Sequence, residues 1–332
     1  MIPEPTETEL SFLTWHHPSS GIFINPVTLE RYCPLDNGRL KRCTFSSCGT
    51  SSNQLGAFSS IPVEISYSIL EILDIQSLTA CRAINWYFRS LVDELLPYKS
   101  IFKDCPEVLR ALLSTKSASN FTIRQIYETL CSQACSECGQ FAPFLDLFTG
   151  CRNCFPCILK SPNLRALPKS TLEKRLGRRI PSETLLTVPG EYAQIGRRYK
   201  QRYRLVRLSQ SMIEELQGDP HDGFAKDQYR YMPIMRVPVL GMISGGEIER
   251  GRCCQACHLG PREEIEGYQD WNTSYSRSGY LEHFKVCKMA QIARAALPQY
   301  IKPSEEISRS AKYQFQGFIS DYRFKVLFSQ SF

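Results

Sequence analysis

The chain has 332 residues, of which 42% are hydrophobic, and its net charge at neutral pH is +7. That much apolar material can form packed cores, so the composition excludes a largely disordered protein. The longest apolar run is far shorter than the roughly 20 residues that a membrane-spanning helix needs. The first 30 residues contain no Lys or Arg, unlike a secretory signal peptide. We therefore expect an intracellular protein of the cytoplasm or nucleus, with no signal peptide, no transmembrane segment and no membrane partner.

Composition and hydrophobic spacing divide the chain into six predicted segments and predict an α+β fold that is predominantly α-helical. In chain order these are an irregular arm and linker (1–60), a compact helical unit (61–100), a helical segment that runs into a cysteine cluster (101–160), a basic and extended segment (161–250), a second Cys/His segment (251–297) and a C-terminal tail (298–332).

The compact unit is predicted to contain three helices. Ile61, Ile65 and Ile69 recur at helical spacing, and Pro62 suits the first turn of a helix. Asn85 is a good N-cap for the third helix, which Pro97 should end. Beyond this unit, Thr122 should cap a helix that leads into the cysteines, and residues 283–296 should form another helix.

Fifteen cysteines are an excess for a chain that we expect in a reducing compartment, where clustered cysteines more often bind metal than form disulfides. Two Cys-x2-Cys pairs, Cys135/Cys138 and Cys154/Cys157, are separated by 15 residues. Four thiolates at this spacing predict a tetrahedral structural zinc site. Cys151 with Cys154 is an overlapping alternative pair, and Cys131 is a further candidate ligand.

A second zinc site is predicted from another Cys-x2-Cys pair, Cys254/Cys257, and from His283 and Cys287 downstream. The i, i+4 spacing of His283 and Cys287 puts both side chains on one helical face, so both can reach one ion. Cys253 and His258 compete as ligands. Two structural zinc ions are therefore expected, and a third set, from His16, His17, Cys33, Cys43 and Cys48, is a weaker candidate.

No catalytic motif accompanies these cysteines. A catalytic zinc needs an open coordination position, whereas both predicted sets are closed. The chain also lacks a His-Glu-x-x-His motif and a Gly-rich phosphate loop. We therefore expect no enzymatic activity and assign no catalytic residue.

The stretch 169–207 is strongly basic, with 11 Lys or Arg residues and three acidic ones. Tyrosines interleave with its densest part, and such a pattern can contact phosphate groups or an acidic protein target. The candidate contacts are Arg197, Arg198, Lys200, Arg202 and Arg204. The ordinary interpretation is a solvated helix face. A zinc-dependent nucleic-acid-binding or regulatory role stays open as the alternative function, although nucleic acid is the less favoured partner.

The compact unit, 61–100, resembles an F-box. The matching residues are Ile61-Pro62-Val63-Glu64-Ile65, Ile69-Leu70, Leu73-Asp74, Ser77-Leu78, Arg82, Ile84 and Phe88-Arg89-Ser90-Leu91-Val92-Asp93. Residues 100–295 more loosely resemble a group of filamentous-fungal F-box proteins that carry a Cys-x2-Cys-Gly segment and a later Glu-His-Phe-x2-Cys segment.

This resemblance implies a three-helix F-box followed by a zinc-stabilised irregular region. It also implies a substrate receptor of an SCF-type (cullin–RING) ubiquitin ligase, with a Skp adaptor and a cullin scaffold as partners and an unidentified protein target. A three-helix unit this small cannot bury its whole apolar face alone. The expected Skp contacts are Ile61, Pro62, Ile65, Ile69, Leu70, Leu78 and Ile84.

Overall fold

The computed structural model describes residues 3–16, 22–29, 31–33, 61–192, 197–216, 228–241, 248–259, 272–299, 312–316 and 319. These residues combine helices with short antiparallel strands, which is consistent with an α+β fold. The chain divides into two compact units. The terminal unit draws on residues 1–17, 154–156 and 249–332, and the central unit on 18–153 and 157–248.

The helices of the described ranges are short, with four to ten residues each. They are α1 Glu7–Leu13, α2 Pro26–Leu29, α3 Val63–Ile72, α4 Ile75–Ile84, α5 Trp86–Glu94, α6 Leu96–Asp104, α7 Glu107–Thr115, α8 Ile123–Cys131, α9 Phe155–Lys160, α10 Lys169–Leu176, α11 Gln210–Leu216, α12 Gln255–Leu259, α13 Arg277–Val286 and α14 Lys288–Ala296. Among the described residues, none of the helices has the length and apolarity needed to cross a bilayer.

The strands have two to four residues each and pair only in antiparallel fashion within the described ranges. They are β1 Thr14–Trp15, β2 Phe144–Asp146, β3 Arg152–Asn153, β4 Ala166–Pro168, β5 Leu185–Leu186, β6 Gly190–Tyr192, β7 Arg197–Tyr199, β8 Arg204–Arg207, β9 Ile234–Arg236, β10 Arg252–Cys254 and β11 Ser274–Tyr275. The sheet orders are β1-β10-β11, β3-β2-β9, β4-β8-β5 and β6-β7.

The segment 61–94 forms three consecutive helices, α3 to α5. Asp74 caps α4 by accepting a hydrogen bond from the Ser77 N–H, and the predicted cap Asn85 accepts one from the N–H of Phe88. The third helix ends at Glu94, and Pro97 stands in the first turn of α6 rather than after a helix. This position suits proline because the first helical turn leaves its N–H groups without intrahelical acceptors.

A buried ion pair joins α4 to α5. The Nε of Arg82 donates to Asp93 Oδ1 over 2.7 Å and its Nη2 lies 3.3 Å from Oδ2, while both side chains are almost fully buried. A bidentate guanidinium–carboxylate contact fixes the two helices in one register. Arg82 and Asp93 therefore have a role in packing these two helices together.

The core of the central unit runs from α2 through α8 and on to the β-strands that follow. Leu78, Val92, Ile101, Leu112 and Ile126 are all buried in it. The predicted cap Thr122 forms a full capping box with Gln125 at the start of α8. Within the predicted basic and extended segment, residues 228–231 form a 3-10 turn and β9 follows it.

The N-terminus differs from the irregular arm that we expected for residues 1–60. Thr6 and Glu9 form a capping box at the start of α1, whose Leu10 and Leu13 are buried in the core of the terminal unit. Leu10 and Leu13 are three positions apart and therefore share a helical face. In the expected tail, Phe315 and Ile319 are buried in the same core, whereas residues 34–60 lie outside the described part of the chain.

Candidate metal centres and an exposed apolar face

Four of the six cysteines between positions 131 and 157 come together in one group, which we name the four-cysteine cluster. Its members are Cys135, Cys138, Cys154 and Cys157, and their sulfur atoms all lie within 4.8 Å of one another. Cys138 is exposed and Cys157 is partly buried, while the other two are buried. This is the quartet that the two Cys-x2-Cys pairs predicted.

Local backbone turns place the first pair of this cluster. The N–H of Cys135 donates to the carbonyl of Gln140 over 2.7 Å, and the N–H of Gly139 donates back to the carbonyl of Cys135 over 2.9 Å. Gly139 has a φ of +74°, a left-handed conformation that glycine adopts without a Cβ clash. A glycine directly after the second cysteine therefore lets the turn fold the two thiols towards one point.

The two remaining cysteines of this stretch stay outside the cluster. Cys151 is exposed, with its sulfur 3.6 Å from the carbonyl of Thr149. Cys131 ends α8, and burial raises the pKa of its thiol while a hydrogen bond with Tyr127 lowers it, with a net rise. The structure thus groups the pair Cys154/Cys157, and not the alternative pair Cys151/Cys154, with Cys135 and Cys138.

A buried arginine stands in β3, directly before the second pair of cysteines. The guanidinium of Arg152 donates to the carbonyls of Thr129 and Ala142, each over 2.8 Å, to that of Leu130 over 3.0 Å and to that of Pro238. Burial lowers the pKa of Arg152 to about 10, so the side chain remains protonated at neutral pH. One charged side chain thus holds several chain segments together through hydrogen bonds to their carbonyl groups. No sequence motif predicts this role.

The second group of donors is the cysteine–histidine cluster, formed by Cys254, Cys257, His283 and Cys287, with all ligand atoms within 4.8 Å of one another. All four residues are buried. Cys254 ends β10, Cys257 lies in α12, and His283 lies in α13. Cys287 stands between α13 and α14, so the single helix expected over 283–296 is broken at this ligand.

The imidazole of His283 is oriented by its neighbours. Its Nε2 lies 3.5 Å from the sulfur of Cys257, and its Nδ1 lies 3.4 Å from the hydroxyl of Tyr275, whose ring stacks on the imidazole at a centroid distance of 4.8 Å. A histidine that binds metal through one ring nitrogen usually has a polar partner at the other. The geometry therefore makes Nε2 the ring nitrogen with which His283 could bind a metal ion.

Burial shapes the electrostatics of this cluster. It raises the pKa of the Cys254 thiol well above its usual range, whereas hydrogen bonds from Cys254 and Cys257 lower the pKa of Cys287. Several thiolates in one apolar pocket are unfavourable without a compensating cation. A divalent ion that neutralises thiolate charge is therefore the natural complement of these residues.

The competing ligands of this region point elsewhere. Cys253 is buried with its sulfur 3.3 Å from Ser274 Oγ, and the ring of His258 packs against Trp15 at 4.6 Å. For the weaker third set, Cys33 is buried in the central core and His16 Nδ1 lies 2.5 Å from the carbonyl of Gly251. His17, Cys43 and Cys48 lie outside the described residues.

Helix α3 has two different faces. Leu70 is buried in the central core, whereas Ile65 and Ile69, one helical turn apart, are about half exposed, at 51% and 41%. Ile72 is more exposed still, at 74%. Ile65, Ile69 and Ile72 recur at i, i+4 and i+7, so they share one side of α3, which we name the exposed apolar face. Val63 of the same helix and Ile84 and Trp86 at the junction of α4 and α5 are also exposed.

The residues expected to contact a Skp adaptor fall into an exposed group and a buried group. Ile65, Ile69 and Ile84 are exposed, Pro62 is exposed and Ile61 is half-buried. Leu70 and Leu78 instead pack in the core of the central unit, so they are corrected from partner contacts to core residues. Helical spacing could not separate the two groups, because the spacing of apolar residues does not show which other residues cover each side chain.

The densest part of the basic stretch forms strands β7 and β8 rather than one helical face, whereas Lys169, Lys174 and Arg175 lie in α10. Arg198 is exposed in β7, Arg204 is exposed in β8, and Lys200 is exposed just after β7, while the side chain of Arg197 lies outside the described part of the structure. Arg202 is half-buried and donates through Nε to the carbonyl of Thr187 over 2.8 Å and through Nη2 to that of Ser114. Arg202 is therefore a structural residue rather than a free contact for a target.

Comparison of the whole chain with protein-family models, with curated proteins and with solved structures gives no significant match.

Proposed function

We propose that the protein is a non-catalytic, zinc-stabilised adaptor that recruits a target protein to an SCF-type ubiquitin ligase. In this proposal the helices α3 to α5 act as an F-box that binds a Skp adaptor, which connects the chain to a cullin scaffold. The remainder of the chain captures the target. The observation that carries the proposal is the exposed apolar face, which lies on the segment that matches the F-box pattern.

The energetics of that face favour a partner. Single exposed apolar side chains are common on soluble proteins, but several large ones on one short helix mark an interaction surface. Burying a side chain such as Ile69 contributes about 1.5–3 kcal/mol. The opposite face of α3 is anchored by Leu70, so the exposed isoleucines stay outside the core that the described residues form.

The metal clusters fit a structural role in this proposal. Donor sets of four thiolates, or of three thiolates and an imidazole, are typical of zinc, and four protein donors leave no position for a substrate or a reactive water. We therefore assign one zinc ion to each cluster. Their contribution is to folding rather than to bond chemistry.

The experiment that tests the adaptor role measures binding of the purified, full-length chain to a purified fungal Skp adaptor by calorimetry. The variant I65D/I69D places two charges on the exposed apolar face and should weaken binding by at least about 100-fold, since it removes two buried apolar side chains from the contact. V27D is the matched control, because Val27 is an equally apolar, 77% exposed residue on α2. It should leave the affinity essentially unchanged.

Binding should tolerate salt, since an apolar contact releases few counterions, whereas nucleic-acid binding falls steeply with salt. Equal Skp affinity for the wild type and I65D/I69D, or no Skp binding by the wild type, would refute the adaptor role.

A further inference from the structure

A small cleft in the central unit brings together basic residues that are far apart in the sequence. Its volume is about 240 Å³. One side is formed by α2 and the turn that follows it, and the other by the β6–β7 hairpin and the loop before it. We name it the basic cleft, and its lining residues are Thr28, Arg31, Tyr32, Pro189, Gly190, Arg198, Tyr199 and Lys200.

Both walls of the basic cleft are anchored in the protein core. Leu29 and Cys33 are buried, and the N–H groups of Tyr32 and Cys33 both donate to the carbonyl of Leu29, over 3.0 and 2.9 Å. Arg31 thus projects from a turn that is held at both ends. In the hairpin, Gly190 pairs with Tyr199 in an antiparallel register, next to Arg198.

Three cationic side chains, Arg31, Arg198 and Lys200, line this one cleft. Within the part of the chain that the structure describes, no carboxylate lies within ion-pair distance of any of them. Glu191 stands opposite Arg198 in the hairpin register but makes no ion pair with it. Like charges that converge in a concavity raise the local positive potential, and a bound anion relieves their repulsion.

The geometry favours a phosphate group over a nucleic-acid strand. The planar guanidinium donates two parallel hydrogen bonds to phosphate oxygens, and lysine adds a point charge. The tyrosine rings of the cleft are already in use, since Arg202 covers Tyr32 at 5.3 Å and Tyr199 packs against Tyr203 and Tyr229 at 6.1 and 6.0 Å. These contacts already occupy part of both rings, which leaves less ring surface for a base to stack on.

We propose that the basic cleft binds a phosphate monoester, held by Arg31, Arg198 and Lys200. A monoester carries close to two negative charges at neutral pH, which suits three converging cations better than the single charge of a phosphodiester. The group can come from a phosphorylated side chain of a protein or from free phosphate. This site does not depend on the adaptor role, since neither the exposed apolar face nor a Skp adaptor takes part in it.

The test uses the purified full-length chain and fluorescence anisotropy with a labelled peptide, Gly-Ala-Ser-Ala-Gly, with and without a phosphate on its serine. Inorganic phosphate is titrated as a competitor and, separately, alone by calorimetry. The variants are R31A and R198A, and R204A is the matched control, because Arg204 is an exposed arginine of the same basic stretch that does not line the cleft. Melting temperatures check that each variant is folded.

The phosphopeptide should bind and the unphosphorylated peptide should not. R31A and R198A should each weaken binding about tenfold, because each removes charged hydrogen bonds, while R204A should stay within about twofold of the wild type. Binding of inorganic phosphate alone, with the same dependence on Arg31 and Arg198, would identify free phosphate as the source of the group.

Three results would overturn the proposal. The first is equal binding of both peptides, with no response to inorganic phosphate. The second is an R204A defect as large as that of R198A. The third is tighter binding of a single-stranded oligonucleotide than of the phosphopeptide, with the same dependence on Arg31. The first would leave the cleft without a ligand, the second would show general charge attraction, and the third would assign the site to nucleic acid.

Discussion

The four-cysteine cluster and the cysteine–histidine cluster differ in burial and in how the chain builds them. The four-cysteine cluster comes from one short stretch, 135–157, and leaves Cys138 exposed. The cysteine–histidine cluster joins Cys254 and Cys257 to His283 and Cys287 across a long connection, and all four donors are buried. One cluster is a local pair of turns, whereas the other is the interior of a small unit.

The residues around the two clusters also differ, in their polarity. Polar contacts support the four-cysteine cluster: Asn153 Nδ2 donates to Ser136 Oγ over 3.0 Å, and Ser161 Oγ donates to Glu137 over 2.9 Å. Apolar residues surround the cysteine–histidine cluster, among them Leu10, Tyr280 and Phe284. A cluster inside an apolar core depends on its metal more strongly, because its donors have no water to replace the lost ligand.

The largest expected effect comes from removing one ligand of each cluster in turn. C257S should abolish metal binding at the cysteine–histidine cluster and unfold the described residues 248–259 and 272–299, with a loss of about 10 kcal/mol of metal-coupled folding free energy. C138S should remove the metal from the four-cysteine cluster with a smaller loss of stability, because Arg152 and the polar contacts remain.

Hydrogen exchange with mass spectrometry measures where protection is lost, and elemental analysis should fall from two zinc ions to one in each variant. Equal loss of protection in both variants would show that burial of the donor residues does not determine how strongly the folding of each cluster depends on its metal. A wild-type chain without zinc would remove the basis of both assignments.

A variant in the N-terminal helix α1 should have a medium effect, which should fall on the cysteine–histidine cluster and not on the four-cysteine cluster. L10A opens a cavity in the core of the terminal unit, where Leu10 is fully buried, and should cost about 2–5 kcal/mol in the free energy of unfolding. Because that core also contains Cys254 and Cys287, zinc should leave the cysteine–histidine cluster at a lower chelator concentration.

The control is V286A in the same unit, where Val286 is 59% exposed and little packing is lost. It should change stability by less than about 0.5 kcal/mol, as is typical of surface substitutions. Chelator titrations that do not distinguish L10A from V286A would show that α1 does not support this cluster.

The smallest effect concerns the backbone of the four-cysteine cluster. G139A forces an alanine into a left-handed conformation at a φ of +74°, although an added Cβ would meet no atom within 4 Å. The expected cost is about 1–2 kcal/mol, carried by the turn that positions Cys135 and Cys138. G177A is a matched control with a φ of +63° and equally open space, at the end of α10.

Both variants should lose similar stability in thermal unfolding, but only G139A should lower the zinc affinity of the four-cysteine cluster. A G177A variant that loses zinc as readily as G139A would mean that the Gly139 turn does not position the thiols.

Local patterns were sufficient where one short segment makes the feature. The caps at Asn85 and Thr122 could be predicted because a capping side chain bonds within three residues of its own position. The four-cysteine cluster could be predicted down to its pairs because the turn of a Cys-x2-Cys segment brings two thiols together by itself. The i, i+4 relation of His283 and Cys287 also survives, although the helix breaks at the second of them.

The tertiary structure decided what depends on which residues cover one another. It buried Leu70 and Leu78 while leaving Ile65 and Ile69 exposed, and it made α1 part of the core around the cysteine–histidine cluster instead of an irregular arm. It also placed Arg31 and Arg198, far apart in the sequence, in the lining of one cleft. Apolar spacing and charge runs show whether a side chain is apolar or charged. Its burial and its partners depend on segments that are far away in the sequence and that only tertiary packing brings close.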